Sequence, residues 1–306
     1  MAKITMDMIK ELRERTAAGV VDCKKVLSEM DGDIEKAIEE LQKRGIAKAA
    51  KKQGRIAAEG KVGLYANAEG TVCSLVEVNC ETDFVSKGEK FIALCNDLAK
   101  QVAVDNPADL DALNKLAYAG DPKVTVEQAI INFTAATGEK TTLRRFVRFE
   151  TSKGKIGSYV HDGGRICVMV DVSCADDAVA SGSDFIQMCE DVAMHIAAMN
   201  PAYVKAEEIP AEDLARQEEI FTAQVKQEGK PDAIAPKIVA GKIAKWKKEN
   251  CLVDQIFVKD SDLVISALLA QFGNDVAVNR FVRYEVGEGL QKRTHDLAAE
   301  VAEITG

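Results

Sequence analysis

Residues 72–85 read VCSLVEVNCETDFV, and residues 166–179, which lie 94 positions further along the chain, read ICVMVDVSCADDAV. The same offset aligns residues 60–108 with residues 154–202 without a gap, and 21 of the 49 aligned positions are identical. An ungapped match of this length predicts a duplicated structural unit. Each copy therefore serves as an internal comparison for the other.

Both copies predict a β-hairpin followed by a helix. A β-branched run at 72–78 or 166–172 is typical of a strand, and a polar turn joins it to a shorter strand around Tyr65 or Tyr159. The next helix has an apolar stripe, formed by Phe91, Leu94, Cys95, Leu98 and Val102 in the first copy and by Phe185, Met188, Cys189, Val192 and Ile196 in the second. His195 lies beside this stripe, and we expect a structural role for it.

The two copies also end alike, but at a larger offset. Residues 145–150 (RFVRFE) recur 135 positions later as residues 280–285 (RFVRYE), and both alternate as a half-buried strand does. Because this offset exceeds the first by 41, the second copy contains an insertion of about that length between Pro201 and Asp262.

The insertion predicts an antiparallel helical hairpin. Residues 211–228 and 232–248 both have helical patterns, and Gly229-Lys230-Pro231 separates them. Trp246 is expected to pack at the base of this hairpin, with contact to a partner as the alternative.

The two ends of the chain predict further helices. Residues 1–45 have the pattern of three short helices, in which Asp33 caps the third and Gly45 ends it. Residues 47–61 are basic, and we favour a solvated linker helix over a nucleic-acid patch. Beyond Gly287 and Gly289, a last helix is expected with the apolar residues Leu297, Val301 and Ile304.

These elements together predict an α+β fold with five parts. The parts are an N-terminal three-helix domain with its basic linker (1–56), a first core unit (57–150), a second core unit (151–208 and 251–285), the inserted hairpin (209–250) and a C-terminal module (286–306).

The composition excludes several classes of protein. The chain has 306 residues, is 47% hydrophobic and carries a net charge of −9, which disfavours a general nucleic-acid binder. Its apolar runs are shorter than the roughly 18 residues that cross a bilayer. The N-terminus lacks the apolar block of a secretory signal, so we expect a cytoplasmic location and no membrane binding.

The sequence contains almost none of the common catalytic, phosphate-binding or metal-binding motifs. Phosphate-binding and nucleophile-elbow patterns are absent, and the eight cysteines and three histidines lack the spacing of a metal site. We therefore expect no cofactor, no metal and no direct nucleotide binding. A thiol nucleophile at Cys80 or Cys174, paired with a histidine, stays open, although the recurrence of both cysteines favours packing.

Phe84 is the informative difference between the copies. It lies on the loop between strand and helix, where the second copy has Ala178. Since the unit tolerates alanine there, its architecture does not require the ring. An apolar ring on such a loop suggests insertion into a partner, and packing peculiar to the first copy is the alternative.

Three stretches resemble the bacterial elongation factor Ts family. They are residues 75–85 (LVEVNCETDFV), residues 12–25 with their LRERT, Gly19 and DCKK segments, and residues 281–289 (FVRYEVGEG). The resemblance spans almost the whole chain in order. It implies a guanine nucleotide exchange factor for elongation factor Tu, without covalent chemistry. It also implies a ubiquitin-associated-like (UBA-like) N-terminal domain, a two-part core, an inserted coiled coil and a C-terminal module.

The resemblance also implies residue roles. Thr82, Asp83, Phe84 and Val85 correspond to the motif that displaces magnesium from the partner, with Phe84 as a wedge and Asp83 as its polar companion rather than a metal ligand of this chain. The other contacts implied for the partner are Arg13, Val20, Val21, His161 and the C-terminal helix. Whether the hairpin mediates weak self-association or contacts the partner stays open. A structural adaptor that binds some other chain is the remaining alternative.

Overall fold

Three helices form the N-terminal part of the chain in the computed structural model, which describes residues 4–16, 18–229 and 231–291. They are α1 (Met6–Thr16), α2 (Val20–Glu29) and α3 (Ile34–Ala50). Asp33 caps α3 as predicted, because its side chain accepts a hydrogen bond from the Lys36 amide at 3.1 Å. Ile9, Leu12 and other apolar side chains from all three helices form a small core of their own.

The expectation that Gly45 ends the third helix is wrong. Helix α3 continues to Ala50 through a run that is rich in alanine, and the linker helix predicted for residues 47–61 is confined to these last residues. Gly45 instead lies against Ile131 and Ala135 of a later helix, where a Cβ would meet Ala135 at 3.6 Å.

The first core unit is an antiparallel sheet with helices. Its elements are β1 (Glu59–Ala66), β2 (Val72–Cys80), α4 (Asp83–Ser86), α5 (Glu89–Asp105), α6 (Leu110–Lys115), β3 (Ala117–Tyr118), β4 (Asp121–Thr125), α7 (Val126–Thr137) and β5 (Thr142–Glu150). The main sheet has the order β1-β2-β5, and β3 pairs with β4 separately.

The second core unit repeats this plan. Its elements, with the inserted hairpin, are β6 (Lys155–His161), β7 (Ile166–Ser173), α8 (Asp177–Ala180), α9 (Ser183–Met199), α10 (Ala211–Gln227), α11 (Ala235–Asn250), α12 (Ile265–Ala270) and β8 (Ala277–Glu285). The sheet order is β6-β7-β8, and both central strands shift register at equivalent places, after Glu77 and after Asp171. The predicted duplication and the α+β class are confirmed.

The two sheets pack face to face, and each carries a long helix on its outer face. On β2, Val76, Val78 and Cys80 face α5, whereas Cys73 and Leu75 face the second sheet. This alternation follows from the two-residue period of a strand. Because both faces are covered, β2 is buried along almost its whole length.

A glycine sets the distance between each sheet and its helix. A Cβ on Gly63 would lie 2.4 Å from the carbonyl oxygen of Cys95, and one on Gly157 would lie 2.2 Å from that of Cys189. These two positions are equivalent in the copies. Strand and helix therefore approach closer than any side chain at this position would allow.

The predicted helical hairpin is confirmed. Helices α10 and α11 pack on each other, with Val225 and Ile243 buried between them. Helix α11 begins three residues later than predicted, at Ala235, and Pro236 stands in its first turn. At the base of the hairpin, Trp246 meets the ring of Tyr203 edge-on at 6.3 Å, which favours its packing role.

The last predicted helix, with Leu297, Val301 and Ile304, lies outside the described residues, as does most of the expected C-terminal module. Within the part of the chain that the structure describes, none of the helices combines the length and apolar character needed to cross a membrane.

Candidate functional site

The candidate loop lies between β2 and α5, where residues 82–85 begin the short helix α4. Thr82 is the N-cap residue, and its hydroxyl oxygen accepts a hydrogen bond from the Val85 amide at 3.5 Å. The carbonyl of Thr82 accepts a bond from the buried Cys80 thiol at 3.1 Å. Val85 packs against the core of the first unit. Both ends of the loop are therefore held, and the middle projects outward.

Phe84 occupies that projecting position and is 86% exposed. Because an exposed benzyl group gains nothing from the hydrophobic effect, the described residues leave this apolar surface uncovered. The local packing alternative is thus not supported by the structure. In the second copy the equivalent helix α8 carries the small Ala178, and its fold is the same without the ring.

Asp83 forms an ion pair with Lys87, one helical turn further on. The Asp83 carboxylate and the Lys87 ammonium are 2.6 Å apart, and both side chains are at least half exposed. The hydrogen bond from Lys87 holds the pKa of Asp83 below its ordinary value, so the loop presents a carboxylate at neutral pH. The second copy has Ser181 at the position of Lys87. Sequence reasoning missed Lys87, although this difference between the copies was available to find it.

Arg13 lies in the same groove as the loop. This groove runs between the N-terminal helices and the first core unit, and its walls include Arg13, Gly19, Phe84, Val85 and Phe133. The structure therefore brings Arg13 and Phe84 to one surface, although 71 positions separate them in the chain.

Val20 and Val21 follow Gly19 in the first turn of α2. They are 45% and 79% exposed, so both are available for apolar contact with a partner. They are not part of the small core of the N-terminal helices, and they directly follow Gly19, which lines the groove.

His161 ends strand β6 in the second core unit. Its ring stacks on Tyr159 with 6.1 Å between the centroids, and the side chain is exposed. The following residue, Asp162, lines a cleft whose other wall includes Asp83 and Lys87. His161 therefore lies next to the cleft that the loop borders, in the second core unit rather than in the groove that contains Arg13.

The structure does not favour a thiol nucleophile. Burial raises the pKa of Cys80 to about 12, and the thiol donates to Thr82. Cys174 is buried in the same way and donates to the Asp176 carbonyl. The ring of His195 is fully buried, and its two nitrogens are engaged by Gln255 and by the Val258 amide. This supports the structural role expected for His195.

A metal site is not apparent in the described ranges. Three or more histidine, cysteine, aspartate or glutamate side chains do not converge anywhere in residues 4–16, 18–229 and 231–291. Asp83 is accordingly paired with a lysine rather than grouped with other acidic side chains.

Comparison with known proteins gives a consistent result. The sequence model of the family described as Elongation factor TS matches residues 81–288. The chain is 45% identical to Elongation factor Ts of Clostridium kluyveri over 303 residues, covering 97% of each chain. It is 43% identical to Elongation factor Ts of Clostridium novyi over 303 residues, again covering 97% of each. The chain thus belongs to the elongation factor Ts family.

Proposed function

We propose that this chain is a guanine nucleotide exchange factor for the translational GTPase elongation factor Tu. It binds the GDP-bound partner and promotes GDP release, so that GTP can bind and translation elongation can continue. Membership of the elongation factor Ts family supports this function. The observation that carries the mechanism is Phe84, an aromatic ring that is 86% exposed on a loop whose duplicate holds alanine.

The thermodynamics of such a factor follow from linkage. A partner that is bound to both the nucleotide and the factor holds each of them more weakly than it holds either one alone. The factor must therefore prefer the nucleotide-free state of the partner to the state that holds GDP and Mg²⁺. Since a bound Mg²⁺ neutralises phosphate charge, disturbing the ion weakens the hold on GDP.

In this proposal the loop Thr82–Val85 disturbs the partner's magnesium site. Phe84 enters between helices of the partner and buries its ring, while Asp83 brings an ionised carboxylate beside it. Thr82 and Val85 keep the loop on the core. The step needs no covalent chemistry, and the high pKa of the Cys80 thiol is in keeping with that.

The remaining contacts extend this surface. Arg13, Val20 and Val21 would face the partner's nucleotide-binding domain, because they lie in or beside the groove that contains Phe84. His161 would make a separate contact from the second unit, across the cleft. The C-terminal helix, which lies outside the described residues, would make another.

The proposal includes the architecture of the family and its location. The N-terminal domain (1–56) is UBA-like, the core units are 57–150 and 151–208 with 251–285, the hairpin (209–250) is a coiled coil, and 286–306 form the C-terminal module. The hairpin would contact the partner or mediate weak self-association. The factor acts in the cytoplasm on a protein partner and binds no nucleotide, nucleic acid or membrane directly.

The test is stopped-flow release of a fluorescent GDP analogue from elongation factor Tu. Wild-type protein should accelerate release, and Phe84→Ala should reduce the acceleration at least about tenfold, because the wedge loses most of its apolar surface. Val104→Ala, which trims another exposed apolar side chain (68% exposed), is the matched control and should behave as wild type. An adaptor for another chain, or an enzyme, would leave GDP release unchanged.

A further inference from the structure

Helix α4 lacks part of its own N-terminal cap. In a capping box, the N-cap hydroxyl binds the amide of the third helical residue, whose glutamate or glutamine in turn binds the N-cap amide. Thr82 makes the first of these bonds, to Val85. Val85 cannot make the second, because its side chain is apolar and packs on the core. The amide of Thr82 therefore needs an acceptor from elsewhere.

Glu139 supplies that acceptor from the turn between α7 and β5. One carboxylate oxygen accepts a hydrogen bond from the Thr82 amide at 3.0 Å, and the other accepts one from the Thr82 hydroxyl at 2.7 Å. The two bonds fix both the backbone and the side chain of Thr82, two residues before Phe84. Bonds to an ionised acceptor are the stronger kind, so this contact is well suited to holding a loop.

The second copy holds its loop with different bonds, although Asp275 of the equivalent turn accepts one from the Ala175 amide. There Asp176 is the N-cap residue, and its own side chain accepts bonds from the amides of Ala178 and Val179 at 2.8 and 3.4 Å. The residue at the position of Glu139 is Asn274, which has no charge. The two-bond contact to Glu139 is thus confined to the copy whose loop carries the phenylalanine.

The turn that holds Thr82 also holds the segment after the N-terminal helices. The Lys140 ammonium donates to the carbonyls of Gln53 and Arg55 at 2.6 and 3.0 Å, and Lys52 donates to the carbonyl of Gly138. The amide of Lys140 donates to Glu81, next to Thr82, at 2.6 Å. One turn therefore binds both the segment that follows α3 and the residues that precede α4.

We propose that Glu139 is a positioning residue of the exchange reaction, which completes the cap of α4 from a distance and holds Phe84 in its projecting orientation. The expected effect of Glu139 on GDP release rests on the proposed function. Its expected effect on the position of the loop rests only on the two hydrogen bonds to Thr82. Glu139 acts through Thr82 and need not touch the partner.

The first test uses the factor alone, so its result does not depend on the exchange activity. Amide hydrogen exchange in residues 82–86 should become at least about tenfold faster in Glu139→Ala, because the loop opens locally without unfolding the core. Exchange in residues 176–180, the equivalent loop, should not change. Unchanged exchange in residues 82–86 would overturn the positioning role even if wild-type protein accelerates GDP release.

The second test separates rate from affinity in GDP release. Glu139→Ala should lower the maximal release rate about tenfold, as expected for the loss of a hydrogen bond to a charged group, and change the half-saturating concentration less than about twofold. Glu139→Gln retains an acceptor for one of the two bonds and should recover part of the rate. If the maximal rate of GDP release with Glu139→Ala equals that with wild-type protein, the proposal is overturned.

The matched control is Asp275→Ala in the second copy. Asp275 accepts a hydrogen bond from the Ala175 amide at 2.8 Å, so its loss should lower the melting temperature to a comparable extent. The maximal release rate should stay at the wild-type value. If both variants slow release in proportion to their loss of stability, Glu139 is only structural and the proposal fails. If wild-type protein does not accelerate release but Glu139→Ala still loosens residues 82–86, the proposed function fails and the structural half of this inference survives.

Discussion

The guanidinium of Arg145 lies over the ring of Tyr284, 4.0 Å from its centroid, and so joins the first core unit to the second. The equivalent contact occurs in the opposite direction, since Arg280 of the second unit lies 4.2 Å over the ring of Phe149 in the first. These contacts relate positions that are 135 apart in both cases. The interface between the two sheets is therefore approximately two-fold symmetric, as in an isologous dimer.

Each arginine of this interface also binds a carboxylate on the central strand of its own sheet. Glu77 is fully buried and lies 2.6 Å from Arg145 and 2.9 Å from Arg144. Asp171, its equivalent, lies 3.1 Å from Arg280. Burial acts to raise the pKa of Glu77, but the Gly287 amide, both arginines and Asn79 together bring it below the ordinary value. The carboxylate is thus ionised inside the interface.

Removing this charge should destabilise the core. Glu77→Gln leaves two partly buried guanidinium groups without their carboxylate, which should lower the free energy of unfolding by about 2–3 kcal/mol. Urea unfolding followed by circular dichroism measures the change. Glu150→Gln is the control, because the Glu150 side chain is 61% exposed in its pair with Arg148. This substitution should lower the free energy of unfolding by less than about 1 kcal/mol. Equal effects of the two substitutions would contradict the assigned role of Glu77.

Two glycines should respond to alanine with opposite signs. Gly63→Ala places a methyl group 2.4 Å from the Cys95 carbonyl and should cost about 3 kcal/mol of stability, since strand and helix must separate. Gly241 lies inside α11 with no atom within 4 Å of a Cβ, so Gly241→Ala should stabilise the protein by about 0.5–1 kcal/mol. Thermal unfolding of both variants provides the measurement, and a tolerated alanine at Gly63 would show that the sheet and helix can move apart.

The sequence predicted the parts of the fold that repeat or that follow a short period. The strands, the helical stripes and the hairpin depend on residues that are near one another in the chain, so their patterns were sufficient. The duplicated unit was visible because two long segments match each other without a gap. The burial of Glu77 was not predictable in this way. A carboxylate between Val76 and Val78 is typical of a solvent-facing strand position, and only the packing of one sheet on the other buries it.

The residues of the candidate site also differ in whether the sequence alone could reveal them. Phe84 was found because the second copy offers a comparison at Ala178. Glu139 was missed because its contact with Thr82 spans 57 positions, and no local pattern indicates which distant carboxylate reaches a helix cap. The end of α3 was misjudged at Gly45, since the alanine-rich residues after this glycine continue the helix to Ala50.

A ring on the second loop should not replace Phe84. The helices α4 and α8 have the same place in their units, and Ala178 is exposed, so Ala178→Phe should fold normally. However, the first loop shares a groove with Arg13, and Ala178 is not among the residues that line this groove. The double variant Phe84→Ala/Ala178→Phe should therefore accelerate GDP release from elongation factor Tu no more than Phe84→Ala does in the stopped-flow assay. Recovery of the wild-type rate would mean that an exposed ring is sufficient regardless of its surroundings.

His195 should make the stability of the protein depend on pH in mildly acidic solution. Burial lowers the pKa of His195 below the ordinary value of 6.5, more than the hydrogen bond to Gln255 raises it. The Val258 amide donates to Nδ1 at 3.2 Å, so the neutral ring carries its proton on Nε2 and donates to the Gln255 oxygen at 2.9 Å. Protonation of Nδ1 would remove the acceptor for Val258 and place a charge in the core.

The sign of this dependence follows from which state binds the proton. As the pH falls below 6.5, the unfolded chain takes up a proton at residue 195 before the folded chain does, so stability decreases until the pH reaches the lower folded pKa. The expected loss is about 1.4 kcal/mol per unit of pKa shift. Urea unfolding between pH 7.5 and about pH 5 should therefore show a steeper decline in wild type than in His195→Leu, which is less stable throughout but cannot titrate there. His161 and His295 are common to both proteins and cancel in the comparison. Parallel declines would mean that the folded core accommodates the charged ring, for example by releasing the segment that carries Val258.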